Sequence, residues 1–402
     1  MSIIDQQKNS PEQSRRIEEV LSRGVEEVID KENLRKKLLS GKILRIKLGI
    51  DPTSPNIHIG RAIPLLKLRD FQNLGHKVVF IIGDFTAVIG DTSDKESERP
   101  MLDAKTIKEN MKTYVKQAGK ILDMRKCEVK YNSQWLKKLT FLEIANMANI
   151  FSVHEFTARE VIAKRLDAGK RVSHLEMMYP LMQGYDSVAV KADVELGGTD
   201  QKFNLLAGRD IQRHYKQAPQ DIMTNPLIEG TDGRKMSSSW GNTINLLDSA
   251  DEMFGKTMSI PDNLIVKYLM LTTRMPMREI ERVKLLSNPR DQKAELAKEI
   301  VAMYHGSEVA IASAKNFDKV FRDKQIPDEI PVFETPRANY PILDLLCDTK
   351  LAESKNDAKR VIEGNGVEID NVKITDWKQE ITLKEGMIIK FGKRKFVKIK
   401  LK

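Results

Sequence analysis

The sequence contains few of the residues that build metal sites or disulfide frameworks. Only two cysteines occur among 402 residues, Cys127 and Cys347, which excludes a disulfide scaffold and a cysteine-based zinc site. The six histidines show no metal-ligand spacing, so we expect no protein-bound metal. Scarce cysteine fits a reducing compartment, and we expect a cytoplasmic location.

Long apolar runs are also missing. No run reaches the roughly 18 residues that a membrane-spanning helix needs, so we expect no membrane association. The first residues show no apolar core behind a basic tip, which argues against a secretory signal. The chain instead has 41% apolar and 31% charged residues, as a globular protein does, and a formal net charge of +10. That basic excess suggests a polyanionic partner.

The hydrophobic pattern predicts an α/β fold. Residues 11–40 and 58–74 have helical spacing, residues 44–50 alternate like a strand, and the continuous apolar run at 78–82 is typical of a strand covered on both faces. Further elements are predicted as helices around 103–122 and 157–168, a helix that starts near Pro180, and a strand near 192–196. Strands alternating with helices indicate a parallel sheet with helices on both faces.

Changes in composition divide the chain into four parts. The predicted boundaries are 1–247 for the parallel-sheet domain with a helical insertion at about 130–175, 248–323 for an α-helical domain, 324–339 for a proline-containing linker, and 340–402 for a small α+β domain. In the last part, helices are predicted at about 341–349 and 354–363, before a turn at Gly364-Asn365-Gly366 and short strands with basic ends.

Two loops carry the chemistry of nucleotide binding. Residues 55–60, Pro-Asn-Ile-His-Ile-Gly, follow the first predicted strand and open a helix whose unpaired N–H groups favour phosphate. His58 can donate a hydrogen bond to a phosphoryl oxygen, and Gly60 leaves room for a flat base. Residues 233–239, Gly-Arg-Lys-Met-Ser-Ser-Ser, offer cations that can close over a triphosphate. Taken singly, a helix cap and a solvated basic loop are the alternatives.

A third segment, at 179–186, places polar side chains on one helix face. Tyr179, Gln183 and Asp186 stand at positions i, i+4 and i+7 and span about 10 Å at ~1.5 Å per residue. That span suits the two ends of one aromatic amino acid, with Tyr179 and Gln183 at its ammonium group and Asp186 at a hydroxyl. A buried helix whose polar groups are satisfied internally is the alternative. Pro180 is predicted in the first turn.

The two loops together resemble the HIGH and KMSKS signatures of class I aminoacyl-tRNA synthetases in order and separation. Residues 47–53, 82–91 and 179–209, the last with Val-Glu-Leu-Gly-Gly-Thr-Asp-Gln, resemble the tyrosyl-tRNA synthetases. The resemblance extends from about residue 15 to the end. It implies a Rossmann-like catalytic domain, formation of tyrosyl-adenylate from L-tyrosine and ATP, transfer of tyrosine to tRNA(Tyr), and a homodimer whose interface is built from helices around 130–170.

The resemblance also implies residue roles. The catalytic set is His58 and Lys235, to which we add Arg61 and Arg234 as hypotheses. The ATP-binding set is Asp51, Thr53, His58, Gly60, Gly198, Asp200, Lys235 and Ser238, with Mg²⁺ accompanying the ATP. The tyrosine-binding set is Asp91, Tyr179 and Gln183 for the ammonium group, Asp186 for the phenol hydroxyl and Gln201 for the carboxylate.

The carboxy-terminal part has a resemblance of its own. Residues 351–370 look like the alpha-L RNA-binding fold, first known in a ribosomal small-subunit protein. One helix can present Lys355, Lys359 and Arg360 together, and a basic run follows near the end. The predicted RNA-binding residues are Lys355, Lys359, Arg360, Lys393, Arg394 and Lys395, which would contact phosphates near the tRNA anticodon.

Three positions depart from the family pattern. Arg61 stands where HIGH ends in histidine, Ser238 replaces the second lysine of KMSKS, and Lys47 stands where many tyrosine enzymes have a tyrosine that contacts the phenol. Arg234 is our hypothesis for the missing charge. These departures motivate one alternative, a synthetase-like RNA-binding protein with weakened catalysis. The tryptophan-specific sister enzyme is another, although Asp186 and the carboxy-terminal domain argue against it.

Overall fold

The computed structural model describes residues 11–91, 101–321, 330–392 and 395–402. Two compact units emerge from the chain's internal contacts. The first comprises the described residues of Met1–Asp248 and Lys256–Tyr304, and the second those of Ser249–Gly255 and His305–Lys402. No helix in the described ranges is long and apolar enough to cross a membrane.

A six-stranded sheet organises the first unit. Its strands are β1 (Glu27–Ile29), β2 (Arg45–Ile50), β3 (Lys77–Ile82), β4 (Cys127–Tyr131), β5 (Val194–Gly198) and β6 (Asp221–Asn225). The spatial order is β1-β6-β5-β2-β3-β4, and only β1 runs antiparallel to its neighbour. The chain passes from β2 outward to β3 and β4 and returns to β5 on the other side of β2. Parallel sheets bind ligands at the carboxyl ends of the strands where the order reverses in this way.

Along the described part of the chain, helices lie before, between and after these strands. In chain order they are α1 (Pro11–Val20), α2 (Lys31–Leu39), α3 (Ile59–Asn73), α4 (Thr86–Ile89), α5 (Ala104–Met111), α6 (Tyr114–Ala118), α7 (Ser133–Leu136), α8 (Phe141–Ala148), α9 (Val153–Thr157), α10 (Glu160–Asp167), α11 (His174–Val190), α12 (Lys202–His214), α13 (Ala250–Met258), α14 (Ile265–Thr272), α15 (Met277–Lys284), α16 (Pro289–His305) and α17 (Ser307–Phe321). The predicted α/β architecture is confirmed, and helices occupy most of the described residues between 250 and 321.

Two helix predictions were wrong in detail. Residues 11–40 are not one helix, because Gly24 adopts a left-handed φ of 63° and the chain forms β1 between α1 and α2. Helix α11 begins at His174 rather than near Pro180, since Ser173 and Glu176 form a capping box that starts it earlier. Pro180 therefore lies inside the helix.

The second unit contains the small carboxy-terminal fold. Helices α18 (Ile342–Asp348) and α19 (Lys355–Glu363) agree with the predicted segments. The strands are β7 (Val332–Thr335), β8 (Asn339–Pro341), β9 (Val367–Ile369), β10 (Val372–Lys373), β11 (Glu380–Thr382), β12 (Ile388–Phe391) and β13 (Lys395–Leu401). They form a five-stranded sheet, β10-β9-β12-β13-β7, and a pair, β11-β8.

The predicted linker at 324–339 differs from what the structure shows of it. Residues 332–335 form β7, which pairs in parallel with β13 from Val332↔Lys398 to Thr335↔Leu401. Thr335 is buried, so the proline-containing composition conceals an edge strand. Residues 324–329 lie outside the described residues.

Candidate active site

A pocket of about 800 Å³ opens at the carboxyl ends of the central strands of the first unit. It collects most of the residues that the sequence singled out. The pocket is lined by Asp51, Thr53, His58, Gly60, Arg61, Asp91, Tyr179, Gln183, Asp186, Gly198, Asp200, Gln201, Lys235 and Ser238, among others. Of the predicted catalytic, ATP and tyrosine sets, Arg234 alone is not in the lining.

Asp186, on α11, is the most buried of the four aspartates in the lining, with 4% exposed. Trp135 Nε1 donates to its Oδ1 at 2.7 Å, and Asn132 Nδ2 to its Oδ2 at 3.3 Å. Burial raises the pKa of Asp186 to about 7, and the charge of Lys47 with these two donors opposes the rise. The carboxylate still has oxygen lone pairs to offer a hydroxyl donor.

Asn132 links this carboxylate to a second one. Its Nδ2 also donates to Thr86 Oγ1 at 2.9 Å, and that hydroxyl donates to Asp51 Oδ1 at 2.7 Å. The Tyr179 hydroxyl donates to Asp51 Oδ2 at 2.9 Å. Burial raises the pKa of Asp51 to about 6, while the hydrogen bonds from Thr86 and Tyr179 lower it. Burial beside Asp51 also raises the pKa of Tyr179 well above its ordinary value, so the phenol keeps its proton.

A set of amides forms the wall next to Tyr179. Gln201 Nε2 donates to the Asp91 carboxylate, and Asn204 Nδ2 donates to Gln201 Oε1 at 3.1 Å. The same Asn204 nitrogen donates to Gln183 Oε1 at 3.1 Å. Asp91, Tyr179, Gln183 and Gln201 therefore face one pocket with acceptor oxygens and an acidic group, which suits a bound ammonium group.

Lys47 lies outside this lining, in β2 beneath it. It is fully buried, and its Nζ contacts Glu195 Oε1 at 2.8 Å. The two residues are register partners in β2 and β5. In this structure Lys47 is engaged by the protein rather than presented to the pocket.

His58 caps the amino end of α3 at the opposite side of the pocket. Its Nδ1 accepts a hydrogen bond from Arg61 N at 3.3 Å, which places the imidazole proton on Nε2. Burial and the charges of Arg61 and Lys235 lower the pKa of His58 to about 3, so the ring is a neutral donor. A Cβ on Gly60 would lie 3.0 Å from the His58 ring and 3.1 Å from Ile228, a tight fit that favours glycine.

Two cations flank His58. Arg61 donates to Thr53 Oγ1 at 3.0 Å and to the Tyr114 hydroxyl at 3.3 Å, so it braces the loop after β2 while it lines the pocket. Lys235 Nζ lies 3.0 Å from Asp200 Oδ2. Both side chains bring positive charge to the same wall as the histidine.

Arg234 faces away from this wall. Its guanidinium donates to Asp232 at 2.6 and 2.8 Å and stacks on Trp240, with 4.8 Å from its central carbon to the ring centroid. The hypothesis that it supplies the charge missing at Ser238 finds no support in this geometry. The neighbouring loop residue Ser238 lines the pocket instead, with its Oγ 3.5 Å from Ser54 Oγ.

Four of the six predicted RNA-binding residues are described, three on α19 and one at the start of β13. Lys355 pairs with Asp344 at 2.5 Å and Arg360 with Asp357 at 2.7 Å. Lys359 Nζ lies 4.3 Å from the centre of the Trp377 ring, and Lys395 Nζ donates to Leu351 O at 3.0 Å. Lys393 and Arg394 lie outside the described residues.

Five polar residues that hold the site were missed: Thr86, Asn132, Trp135, Glu195 and Asn204. Two had a usable signal. Asn132 follows directly after β4, at the sheet edge where ligands collect. Glu195 is an acid within an otherwise apolar strand. The buried cation Lys47 stands at the paired position of the neighbouring strand. The other three have no pattern in the sequence that marks them.

Models of two protein families match adjacent parts of the chain. The family described as tRNA synthetases class I (W and Y) matches residues 39–322. The family described as the tyrosine–tRNA ligase SYY-like C-terminal domain matches residues 323–399.

Relatives extend the similarity over nearly the full length. The chain is 46% identical over 397 residues to a tyrosine–tRNA ligase of Carboxydothermus hydrogenoformans, covering 95% of this chain and 97% of that one. It is 47% identical over 386 residues to a tyrosine–tRNA ligase of Thermotoga maritima, covering 94% and 96%. The solved structure of a C-terminally truncated mitochondrial tyrosyl-tRNA synthetase of Coccidioides posadasii has the same fold, with a TM-score of 0.62, 24% identity, and 78% of this chain and 96% of that chain covered.

The pKa of Asp186 leads to a stability prediction. The pKa of Asp186 is 3.8 in the unfolded chain and about 7 in the folded one, so the protonated carboxyl group favours the folded state at low pH. This contribution to the free energy of unfolding is lost as the pH rises from about 4 to about 7. Asp186→Asn removes the buried charge, so we expect it to raise the melting temperature at pH 8 by about 2–4 °C for each kcal/mol of desolvation relieved. The difference should vanish as the pH falls toward about 4. The melting temperatures are measured by circular dichroism. A melting temperature of Asp186→Asn below that of the wild type at pH 8 would contradict the raised pKa of Asp186.

Proposed function

The chain belongs to the class I tRNA synthetases and, within them, to the tyrosine–tRNA ligases, and from this we propose how its pocket divides the work between residues. The reaction activates L-tyrosine with ATP to tyrosyl-adenylate and pyrophosphate and then moves tyrosine to the 3′ end of tRNA(Tyr). The proposed roles depend on one observation: Asp186, His58 and Lys235 line the same pocket of about 800 Å³. An acceptor for the substrate hydroxyl and donors for phosphate thus face one volume.

The tyrosine subsite is assigned to α11 and its neighbours. Asp186 accepts a hydrogen bond from the phenol hydroxyl, while Asp91, Tyr179 and Gln183 hold the ammonium group, and Gln201 faces the carboxylate. Support comes from burial, because a carboxylate that is only 4% exposed has little access to water for the lone pairs that Trp135 and Asn132 leave open. Phenylalanine supplies no hydroxyl donor, so the lone pairs of Asp186 that Trp135 and Asn132 leave open stay unpaired, which disfavours it.

The ATP subsite is assigned to the loop after β2, the end of β5 and the 233–239 loop. Asp51, Thr53, Gly60, Gly198, Asp200 and Ser238 line that side of the pocket with His58 and Lys235. We place the adenosine against Gly60 and Gly198, and the phosphates between His58 and Lys235. Lys235 exchanges its contact with Asp200 for the triphosphate, and Mg²⁺ enters on the triphosphate oxygens as part of the ATP substrate.

In the first step, the substrate itself supplies the nucleophile. A tyrosine carboxylate oxygen attacks the α-phosphorus of ATP, the bond to the bridging oxygen breaks, and pyrophosphate leaves with that electron pair. Negative charge builds on the phosphoryl oxygens, where His58 Nε2–H and the Lys235 ammonium donate. Catalysis then consists of positioning and charge stabilisation.

The second step uses the tRNA. A hydroxyl of its terminal ribose attacks the adenylate carbonyl, and AMP leaves. We assign the second unit to RNA phosphate contacts through Lys355, Lys359, Arg360 and Lys395, with Lys393 and Arg394 in the same basic run. We also propose a cytoplasmic location, because the scarcity of cysteine fits a reducing compartment. The RNA-binding-only and tryptophan alternatives find no support in relatives called tyrosine–tRNA ligases.

We also propose that the protein is a homodimer through the helices around 130–170. Phe141 is 87% exposed, Leu142 69% and Val153 64%, although large apolar side chains are normally buried in a lone domain. They lie on α8 and α9 within the predicted interface region. A second copy of the chain would remove this apolar surface from water.

The substrate assignment is tested by amino-acid-dependent exchange of pyrophosphate into ATP. We expect exchange with L-tyrosine and at least a hundredfold lower kcat/KM with L-phenylalanine or L-tryptophan. Neither of these two supplies the phenol hydroxyl whose hydrogen bond the buried Asp186 carboxylate accepts. Exchange with tryptophan in place of tyrosine, or none with any of the three, would overturn the proposal.

The charge assignment separates two neighbouring cations. Lys235→Met removes a preorganised donor and should lower the exchange kcat by about 10²–10³-fold. Arg234→Met is the matched control, because Arg234 pairs with Asp232 outside the pocket, and its kcat should stay within about threefold. A larger loss in Arg234→Met than in Lys235→Met would reverse the two roles.

The homodimer proposal has a simple test. Sedimentation at micromolar concentration should show a dimer for wild type and a monomer for Phe141→Asp/Leu142→Asp, because charges in an apolar interface strongly disfavour it. The exposed Leu285, at 85%, provides a matched control as Leu285→Asp, which should remain dimeric. A monomeric wild type would refute the proposal.

A further inference from the structure

We propose that the buried ion pair between Lys47 and Glu195 is a positioning device that fixes which end of the Gln183 amide faces the substrate. The inference rests on the proposed function, in which Gln183 holds the tyrosine ammonium group. Neither Lys47 nor Glu195 lines the pocket, so both act through the side chains above them.

The pair is enclosed and fully hydrogen-bonded. Lys47 is 0% exposed and Glu195 1% exposed, and they face each other across β2 and β5. Besides Glu195 Oε1 at 2.8 Å, Lys47 Nζ donates to Gln183 O at 2.9 Å and Ser187 Oγ at 2.8 Å. The three donors of the ammonium group therefore all have acceptors, two of them on α11.

Glu195 in turn orients the Gln183 side chain through a hydrogen bond. Gln183 Nε2 donates to Glu195 Oε1 at 3.2 Å, while the Ser187 hydroxyl and the Gln220 amide donate to Oε2. An ionised carboxylate accepts hydrogen bonds and cannot donate them, so it must face the NH₂ end of the glutamine. The two ends of an amide are nearly equal in size, and packing alone does not choose between them.

The choice matters for the substrate. With Nε2 turned to Glu195, Gln183 Oε1 lies on the other side, where Asn204 Nδ2 donates to one of its lone pairs at 3.1 Å. The second lone pair is then available for a substrate ammonium. The reversed amide would present N–H to a positive charge, which repels it. Glu195 and Asn204 thus favour the same amide orientation, and Glu195 does so without touching the ligand.

The order extends further along the wall. Asn204 also donates to Gln201 Oε1 at 3.1 Å, and Gln201 donates to Asp91. Lys47 supplies the positive charge that pairs with Glu195 in the sheet interior, where an uncompensated buried carboxylate would be costly.

The experiment compares two ligands that differ in the ammonium group. L-Tyrosine and 3-(4-hydroxyphenyl)propionate share the phenol and the carboxylate, and only tyrosine has the ammonium. In Glu195→Gln the neutral amide can turn either end toward Gln183. We expect calorimetry to show about tenfold weaker tyrosine binding and a change within about twofold for the propionate. Equal losses for both ligands, or no loss for tyrosine, would overturn the proposal.

A double variant and a control exclude simple loss of stability. Lys47→Met/Glu195→Met replaces both partners by apolar side chains, an exchange that buried ion pairs usually tolerate, and it should lose tyrosine affinity as Glu195→Gln does while the KM for ATP stays unchanged. Lys67→Met removes another buried lysine, bonded to Val20 O and Asp70, and should leave tyrosine affinity unchanged. Wild-type tyrosine affinity in the double variant, or weaker tyrosine binding in Lys67→Met, would refute the proposal that Lys47 and Glu195 position the Gln183 amide.

The two proposals fail in different ways. A wild-type chain without tyrosine-dependent pyrophosphate exchange refutes the proposed function. A wild-type chain with that exchange, whose Glu195→Gln variant binds both ligands as wild type does, refutes the positioning proposal alone.

Discussion

The burial of the Asp186 carboxylate is the constraint on which the site depends. A carboxylate held at 4% exposure loses its water, and its pKa rises to about 7 as a result. Three groups stabilise the ionised carboxylate: the indole of Trp135, the amide of Asn132 and the charge of Lys47. These groups offset part of the desolvation and leave the rest to be met by a ligand that donates a hydrogen bond.

The sheet makes this arrangement possible because its strand order reverses at β2. Side chains after β2, β4 and β5 meet at that reversal, and α11 crosses them with its polar face. Carboxylates and amides gather at the end that receives the amino acid. His58, Arg61 and Lys235 gather at the other, where burial, together with the charges of Arg61 and Lys235, lowers the pKa of His58 to about 3 and keeps the imidazole neutral. One pocket therefore holds opposite charge patterns, each suited to one substrate.

The sequence predicted the parts of this design that rest on local patterns. Central strands, the two nucleotide loops and the spacing of Tyr179, Gln183 and Asp186 were found because each follows a short-range rule. The contacts of Trp135 and Asn204 were missed because they depend on how distant segments pack. Arg234 was assigned to catalysis from its place in the loop, whereas an acid two residues earlier and a nearby indole hold it outside the pocket lining.

The most direct test is the pH dependence of L-tyrosine binding by calorimetry. The phenol keeps its proton over the range from about pH 5 to 8, so the dependence reports on the protein. If Asp186 must be ionised to accept the phenol hydroxyl, the affinity should rise by about tenfold per pH unit up to about pH 7 and then level off, with proton release on binding at the lower values. An affinity that stays constant from pH 5 to 8, without proton release, would contradict the account.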